Sequence, residues 1–527
     1  MKKIGTFILF AVSVILYGCS KTDFSSDIIE DEATGDKLAH DEIVLGAKLD
    51  DPYSVENVTK ALASLYPVKA DRVDVTPTDI YVRFLPTDEE QYEKLKAMVP
   101  DMLDHPLDYQ IVKDGDYYHD PTLPEDKITW QYCVVPNDFS FPDDIQYEVL
   151  DHCFIPEHSL TRGDDGIDWT AVEAEAYRIT GNGDLLEPLT KGKKVHPQGR
   201  ITIVDDRWNG GKPFGVAGVK VVCNCFVKFS SAYTDRDGYY TIKKSYSSKV
   251  RYRLMFANEK NFAIGFNLIL VPASTSTLGK SSPSGIDAVV TKDSERKLFC
   301  RCVVNNAAYD YITRCSPDDM NLELPPKHLR IWLLHKLNSS CAIMMRHGTV
   351  LERSLLYNYF GKYILAIKVF MPDITIGLSG VNDYATIYSS VCHELSHASH
   401  FAKVGKDYWD SYIEYIVTSF ATSGGVTYGN GTEPGAGYCE IGEMWGYFMQ
   451  NKMFHDRYGG TMPVSGMNYW FKPQIMRYLY ERGMSASNIL AAMDKEVKSR
   501  EALRKKLVSM YPKDEAMIEL AFRRYSE

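Results

Sequence analysis

Residues 389–402 read SSVCHELSHASHFA, and they constrain this chain more than any other stretch. His393 and His397 stand four apart, with Glu394 beside the first, in the order H-E-x-x-H. With 13 His in 527 residues, such a pattern arises by accident in roughly one chain in fifty, so the surroundings must decide its meaning. Asn382 or Asp383 can cap a helix that ends near Gly405. Ile387, Val391, Leu395 and Ala398 recur at helical spacing and give that helix an apolar face. His393 and His397 then meet on an adjoining face, as two imidazoles must to share one tetrahedral Zn²⁺ at about 2.0–2.1 Å. Glu394 is placed to take a proton from water and to hand it later to a leaving amine.

A catalytic zinc ion needs a third protein ligand and an open position. His400 follows His397 by three residues, which carries it one turn too far along a rigid helix. It reads as a rim residue or as part of a solvated face. Further on come a helix-like stretch at 407–420, a glycine-rich loop at 423–437, and an apolar, aromatic segment at 437–448. That segment holds Glu440 and Glu443, three apart and so on one helix face. Two carboxylates on such a segment are expensive to bury without a partner, and a cation is a good partner.

At these residues the chain resembles gluzincin-type zinc metallopeptidases. In them H-E-x-x-H is followed by a ligand Glu on the second helix after it, often as E-x-[F/W]-[A/G]. Glu443-Met444-Trp445-Gly446 has that form, at a gap of 443 − 397 = 46 residues. The resemblance covers about 363–450. It implies a peptide hydrolase with Zn²⁺ on His393, His397 and Glu443, Glu440 being the alternative third ligand, and Glu394 as general base. Some gluzincins place an Asp four residues after the ligand Glu to support the first His, whereas position 447 here is Tyr. Tyr438, Tyr469 and His455 are the candidates for stabilising an oxyanion.

The N-terminus adds an address. Lys2 and Lys3 precede an apolar run at 4–17, and Leu16-Tyr17-Gly18-Cys19 has the form of a bacterial lipobox. Residues 1–18 are expected to be a cleaved lipoprotein signal and Cys19 the lipidated residue. By resemblance, Ser20 after the cysteine implies sorting to the outer membrane of a Gram-negative cell. In that compartment disulfides are permitted, so the ten remaining cysteines read as buried thiols or disulfides. Cys223/Cys225 and Cys300/Cys302 form two C-x-C pairs in strand-like sequence. A net charge of −11 without a long basic run argues against a nucleic-acid partner.

The rest of the chain divides by composition and period. Residues 19–47 are acidic and read as a tether. Residues 48–165 read as a small α+β domain, with a helix at 54–65, a strand at 79–84 and a capping box at 87–90 that starts a helix to about Met98. Between 199 and 290 the period is that of strands: 200–204, 216–222 and 250–256, with a tight turn at 234–240 where Gly238 supplies φ > 0. The pattern G-V-x-G-V-x-V followed by T-D-x-D-G-Y-Y resembles carboxypeptidase regulatory-like domains. Strands are also expected at 363–369 and 374–377.

The whole reads as a multidomain α+β chain: an N-terminal α+β domain, a central transthyretin-like β-sandwich, and a C-terminal helix-rich zincin-like domain over 291–527. The portion from about residue 195 is expected to fold without residues 20–165. The expected function is a membrane-anchored zinc metallopeptidase acting on a peptide or protein. The alternative is a non-catalytic surface lipoprotein whose zinc site is structural, with His400 as the fourth ligand.

Overall fold

In the computed structural model, which describes residues 42–525 apart from 69–72, 74, 125–126, 159–165, 187–193, 267–270, 336–338, 350–369, 424–425 and 427, the first half of the chain builds small units on one large sheet. β1 (Val44–Lys48) pairs with β3 (Tyr109–Lys113), and β2 (Asp79–Leu85) is the central strand between β4 (Gln131–Pro136) and β5 (Gln146–Cys153), all antiparallel. Helix α1 (Val55–Leu65) starts where the Ser54 side chain accepts the Asn57 N–H at 3.2 Å. Its Val58, Ala61 and Leu62 pack on Val172 and Ala176 of α3 (Trp169–Ile179). Helix α2 (Glu89–Met98) lays Tyr92 and Leu95 over Ile80, Val82 and Phe84. Its cap is Asp88, one residue later than the expected box. Asp88 accepts from the Gln91 N–H, and the Gln91 side chain in turn accepts from the Thr87 N–H, both at 2.9 Å.

The middle of the chain supplies two sheets. The smaller holds β6 (Gln198–Ile203), β7 (Phe214–Gly215), β10 (Tyr239–Thr241) and β14 (Ala288–Val290). The larger holds β8 (Val219–Cys225), β9 (Lys228–Tyr233), β11 (Val250–Asn258), β12 (Phe262–Phe266) and β13 (Thr275–Ser281). It does not stop at residue 290. After α4 (Arg296–Arg314), β15 (Leu329–Leu334) joins β12 in parallel, and β17 (Ile374–Gly377) and the short edge strand β16 (Cys341–Ala342) extend the same sheet. The expected strand at 363–369 lies outside the described residues.

Two local expectations change for physical reasons. β8 begins at Val219 rather than 216, because the backbone before it is held by side chains of α4. Asn306 accepts from the Ala217 N–H at 2.9 Å and donates to the Gly215 carbonyl at 2.8 Å, and Gly218 turns with φ +66°. Cys223 and Cys225 do lie on a strand, but Cys300 and Cys302 lie inside α4. The Glu295 carboxylate caps α4 by accepting the Lys297 and Leu298 N–H groups, and the helix runs through the core, buried on several sides. All ten described cysteines are buried free thiols.

The last third is helical: α5 (Tyr384–Val404), α6 (Lys406–Thr422), α7 (Ala436–Tyr458), α8 (Gln474–Tyr480), α9 (Ala486–Ala492), α10 (Arg500–Met510) and α11 (Glu515–Arg524). Helix α5 packs between α4 and α7 and against β16 and β17. A latch ties this layer to the smaller sheet. Arg457, near the end of α7, reaches Asp205 at 3.1 Å, and its guanidinium stands 4.3 Å from the Trp208 ring, 4.8 Å from Tyr384 and 5.0 Å from Tyr388. No described helix is long and apolar enough to cross a membrane. Cys19 and its lipobox lie outside the described residues.

Buried charges join the N-terminal units to everything that follows. Arg301 on α4 is 1 % exposed and pairs with Asp116, which also takes Lys297 at 2.8 Å. Glu89 of α2 accepts from Arg330 at 2.7 Å and from Arg346 at 2.6 Å. Lys228, also 1 % exposed, lies 2.8 Å from Glu157 and 3.8 Å from Glu173. Burial alone would raise the Glu157 carboxyl, but Lys228 and Lys194 hold it down at about 2. Removing one partner from a buried pair destabilises by about 3–5 kcal/mol. The prediction therefore reverses the sequence expectation: a chain starting near residue 195 will be insoluble or molten by circular dichroism. Supplying residues 42–186 as a separate fragment should restore a cooperative melt. A truncated chain that melts like the full protein would show that these pairs are dispensable.

Candidate metal centre

Asp383 starts α5 by accepting the Thr386 N–H at 2.9 Å, and Gly405 ends it at φ +83°. Ile387, Val391, Leu395 and Ala398, all at most 1 % exposed, form its apolar face. That burial fixes the rotation of the helix and turns His393 and His397 toward α7. There Glu443 meets them. His393 Nε2 lies 3.0 Å from His397 Nε2, 3.5 Å separates His393 Nε2 from Glu443 Oε2, and 3.5 Å separates His397 Nε2 from Glu443 Oε1. Ligands at about 2.0–2.1 Å from one tetrahedral ion stand about 3.3 Å from each other. The three donors already hold that spacing, and all three side chains are buried. Two nitrogens and a carboxylate oxygen, with Glu443 Oε2 otherwise unpartnered among the described residues, make a cluster that can bind a metal ion.

Neighbouring residues explain why the cluster keeps this shape. Gly446 follows Glu443 by three, so it faces α5 directly. A Cβ there would stand 2.8 Å from Cε1 of both His393 and His397. Only glycine lets the two helices approach this closely. Trp445 donates from Nε1 to the Ser396 carbonyl at 3.1 Å, pinning α7 to α5 one residue before His397. Tyr412 on α6 donates to Glu443 Oε1 at 2.5 Å. His393 Nδ1 faces Gln450 Oε1 at 3.0 Å, so the ring donates there and presents Nε2 to the cluster. Gln450 thus supports the first histidine, and Tyr447, at the position where some gluzincins carry Asp, instead packs its ring 4.7 Å from that of His393. Tyr412 and Gln450 were not picked out from the sequence. Gln450 lies seven residues after Glu443 on the same helix face, a spacing that could have marked it.

The electrostatics follow from burial. Desolvation would raise the Glu443 carboxyl, but His397 and His393 hold it at about 2. Burial lowers His397, whereas Glu443 and Glu394 raise His393 against its burial. Glu394 is 2 % exposed. Burial first, and then the Glu443 charge, push it up to about 8, against the opposing effects of His393 and of the Ala342 N–H it accepts from β16. Its Oε2 has no partner among the described residues.

The other candidates fall elsewhere. Glu440 accepts the Arg500 N–H at 2.8 Å and pairs with Arg500 Nε at 3.1 Å, so it anchors the start of α10 and stays out of the cluster. His400 is neither on a rim nor solvated. It is fully buried between the rings of Tyr408 and Trp409, 5.4 and 5.8 Å away, with both nitrogens unpartnered among the described residues, and burial pushes it down to about 3. Tyr469 packs at a tilt against Tyr447, 5.7 Å between centroids, within electrostatic reach of Glu443. Tyr438 packs on Tyr408, and the side chain of His455 is 39 % exposed near the end of α7.

The close approach at Gly446 gives a specific prediction. Gly446→Ala gains about 1 kcal/mol of helix propensity, yet its methyl would collide with both imidazoles. The melting temperature should hold within a few degrees, while affinity for Co²⁺ or Zn²⁺, measured by competition with a chromophoric chelator, should fall at least about tenfold. Unchanged metal affinity would show that the two rings are free to move aside.

Compared with protein-family profiles, curated proteins and solved structures, the chain matches none.

Proposed function

We propose that this protein is a zinc metallopeptidase, anchored by a lipid on Cys19 to the outer membrane of a Gram-negative cell and acting on peptides or proteins. The observation that carries the reading is the set of three buried donors at tetrahedral spacing, with the free carboxylate oxygen of Glu394 on the same helix. Imidazole and carboxylate donors suit Zn²⁺. His393, His397 and Glu443 would hold it. When bound, the ion would polarise a peptide carbonyl and make water a better nucleophile. Glu394 would accept the proton of that water at Oε2 and deliver it to the leaving amine. The Ala342 N–H fixes the other end of this carboxylate, so the base keeps its direction. Gln450 and Tyr412 hold the ligand set in register. The 199–290 strands are read as a carboxypeptidase regulatory-like β-sandwich that supports the helical layer, with Arg457 as the tie between them. The structural-zinc alternative needs a fourth protein ligand. The residue expected to supply it, His400, is packed between two aromatic rings, which favours the catalytic reading.

Substitutions separate ligand from base. Glu443→Gln should strip zinc, because an amide oxygen is a poorer ligand than a carboxylate. Glu440→Gln should leave metal content unchanged. Glu394→Gln should keep zinc and slow peptide hydrolysis by about 10²–10⁴-fold. Metal analysis of the purified variants, followed by a peptide-library cleavage assay, reads all three. Loss of zinc in Glu394→Gln but not in Glu443→Gln would overturn the ligand assignment. Tight zinc binding without cleavage of any peptide by the wild type would favour the structural-zinc alternative.

The anchor has its own test. Cys19→Ala should abolish lipid labelling and leave the protein as an uncleaved precursor or in the soluble fraction. Normal labelling would remove the lipoprotein reading.

A further inference from the structure

Ala342 is a point where the large sheet touches the metal centre. Its strand, β16, is two residues long and pairs with the sheet on one side, through β17. Two ladder positions hold such a strand loosely, so its place depends on what grips it from the other side. Both backbone polar groups of Ala342 are taken there by the helical layer. The N–H bonds the Glu394 carboxylate of α5, and the C=O accepts from Trp409 Nε1 of α6 at 2.9 Å. Trp409 and Ala342 are at most 1 % exposed. The Trp409 ring lies 5.7 Å from that of His397 and 4.6 Å from that of Tyr412, whose hydroxyl bonds Glu443. One side chain thus touches a metal-ligand candidate, the tyrosine that holds another, and the strand that holds Glu394. Phenylalanine would fill much of the same space. What tryptophan adds is the indole N–H, which needs an acceptor when buried, as the Ala342 carbonyl needs a donor.

We infer that Trp409 is a positioning residue for Glu394: its N–H fixes the Ala342 carbonyl, and Ala342, so fixed, directs the Glu394 carboxylate through its own N–H. The inference rests on the peptidase reading, in which Glu394 is the general base. Ring and N–H have separate tasks. The ring packs against His397 and Tyr412 and so supports the ligand set. The N–H acts on β16 and, through Ala342, on the base. Removing the N–H while the ring stays should therefore disturb Glu394 and leave the metal ligands in place.

The test uses the full-length, zinc-loaded protein with 3-benzothienylalanine at position 409, which keeps the fused ring and puts sulfur in place of the N–H. Trp409→Phe, which also lacks the N–H, is the second variant. Zinc affinity of the first should match wild type. In protein carrying ¹³C at the glutamate carboxyls, the Glu394 signal is the one missing from Glu394→Gln and the Glu443 signal the one missing from Glu443→Gln. Loss of the N–H should move the first and leave the second. Peptide hydrolysis should show kcat lowered about ten- to hundredfold at unchanged KM, the scale of a misdirected catalytic group. The inference is overturned if the Glu394 signal stays in place in both variants, if loss of the N–H alone weakens zinc binding, or if KM rises while kcat holds. A wild type that cleaves no peptide would instead sink the peptidase reading, and the carboxylate signals would still decide whether Trp409 directs Glu394.

Discussion

A carboxylate with no solvent exposure sits between two buried imidazoles, and the helical layer is arranged around that fact. Glu443 lies on a helix whose neighbouring positions are apolar, so its charge has no water to turn to. An isolated buried carboxylate is far too costly to persist. The two imidazoles face it from one side, and a cation bound among the three donors would balance its charge. Once α5 and α7 are fixed by that need, the other features follow. Gly446 must have no side chain, Trp445 can reach the Ser396 carbonyl, and α6 must pass close enough for Tyr412 to bond the same carboxylate.

The same reasoning applies to how the rest of the chain is joined. Arg301, Lys228 and Arg330 are each at most 2 % exposed, and each finds its acid in the N-terminal units. Hydrophobic burial would let the sheets and helices slide against one another, because it is non-directional. Buried ion pairs are directional and expensive to break, so they set the register of the units. The continuous sheet across residue 290, together with α4 packed against α5, carries that register to the metal cluster. The Arg457–Asp205 latch does so from the other side.

How much of this was legible in the sequence depends on the range of the interactions. His393, Glu394, His397 and Glu443 could be found because their relation is written in helical spacing, and the burial cost of an acid among aromatics is readable locally. Asp383 and Gly405 announce the ends of α5 by their chemistry. Tyr412 could not be found, since its partner is 31 residues away and nothing marks it among the other tyrosines. The segment around Cys300 and Cys302 reads as strand because a short apolar run fits a buried strand and a helix buried on several sides equally well. Glu295, the cap that decides the matter, is an unusual capping residue. The late start of β8 depends on Asn306, 87 residues beyond Val219. His400 misleads for a different reason. Histidine in an H-E-x-x-H helix suggests a ligand or a wet surface, yet its ring here serves as a flat filler between Tyr408 and Trp409.

The support of His393 by Gln450 rather than by an acid is consistent with the charge count of the centre. Glu443 and Glu394 are both buried, and as carboxylates they sum to −2. A divalent cation brings the total to zero. An acid at position 450, half-buried and within hydrogen-bonding range of His393, would carry the total to −1. A neutral amide still accepts the imidazole N–H and fixes its tautomer, so the orientation is kept without the extra charge. Without a cation the imbalance is visible in Glu394, which burial and the Glu443 charge push up to about 8. A cation beside it would favour its ionised form.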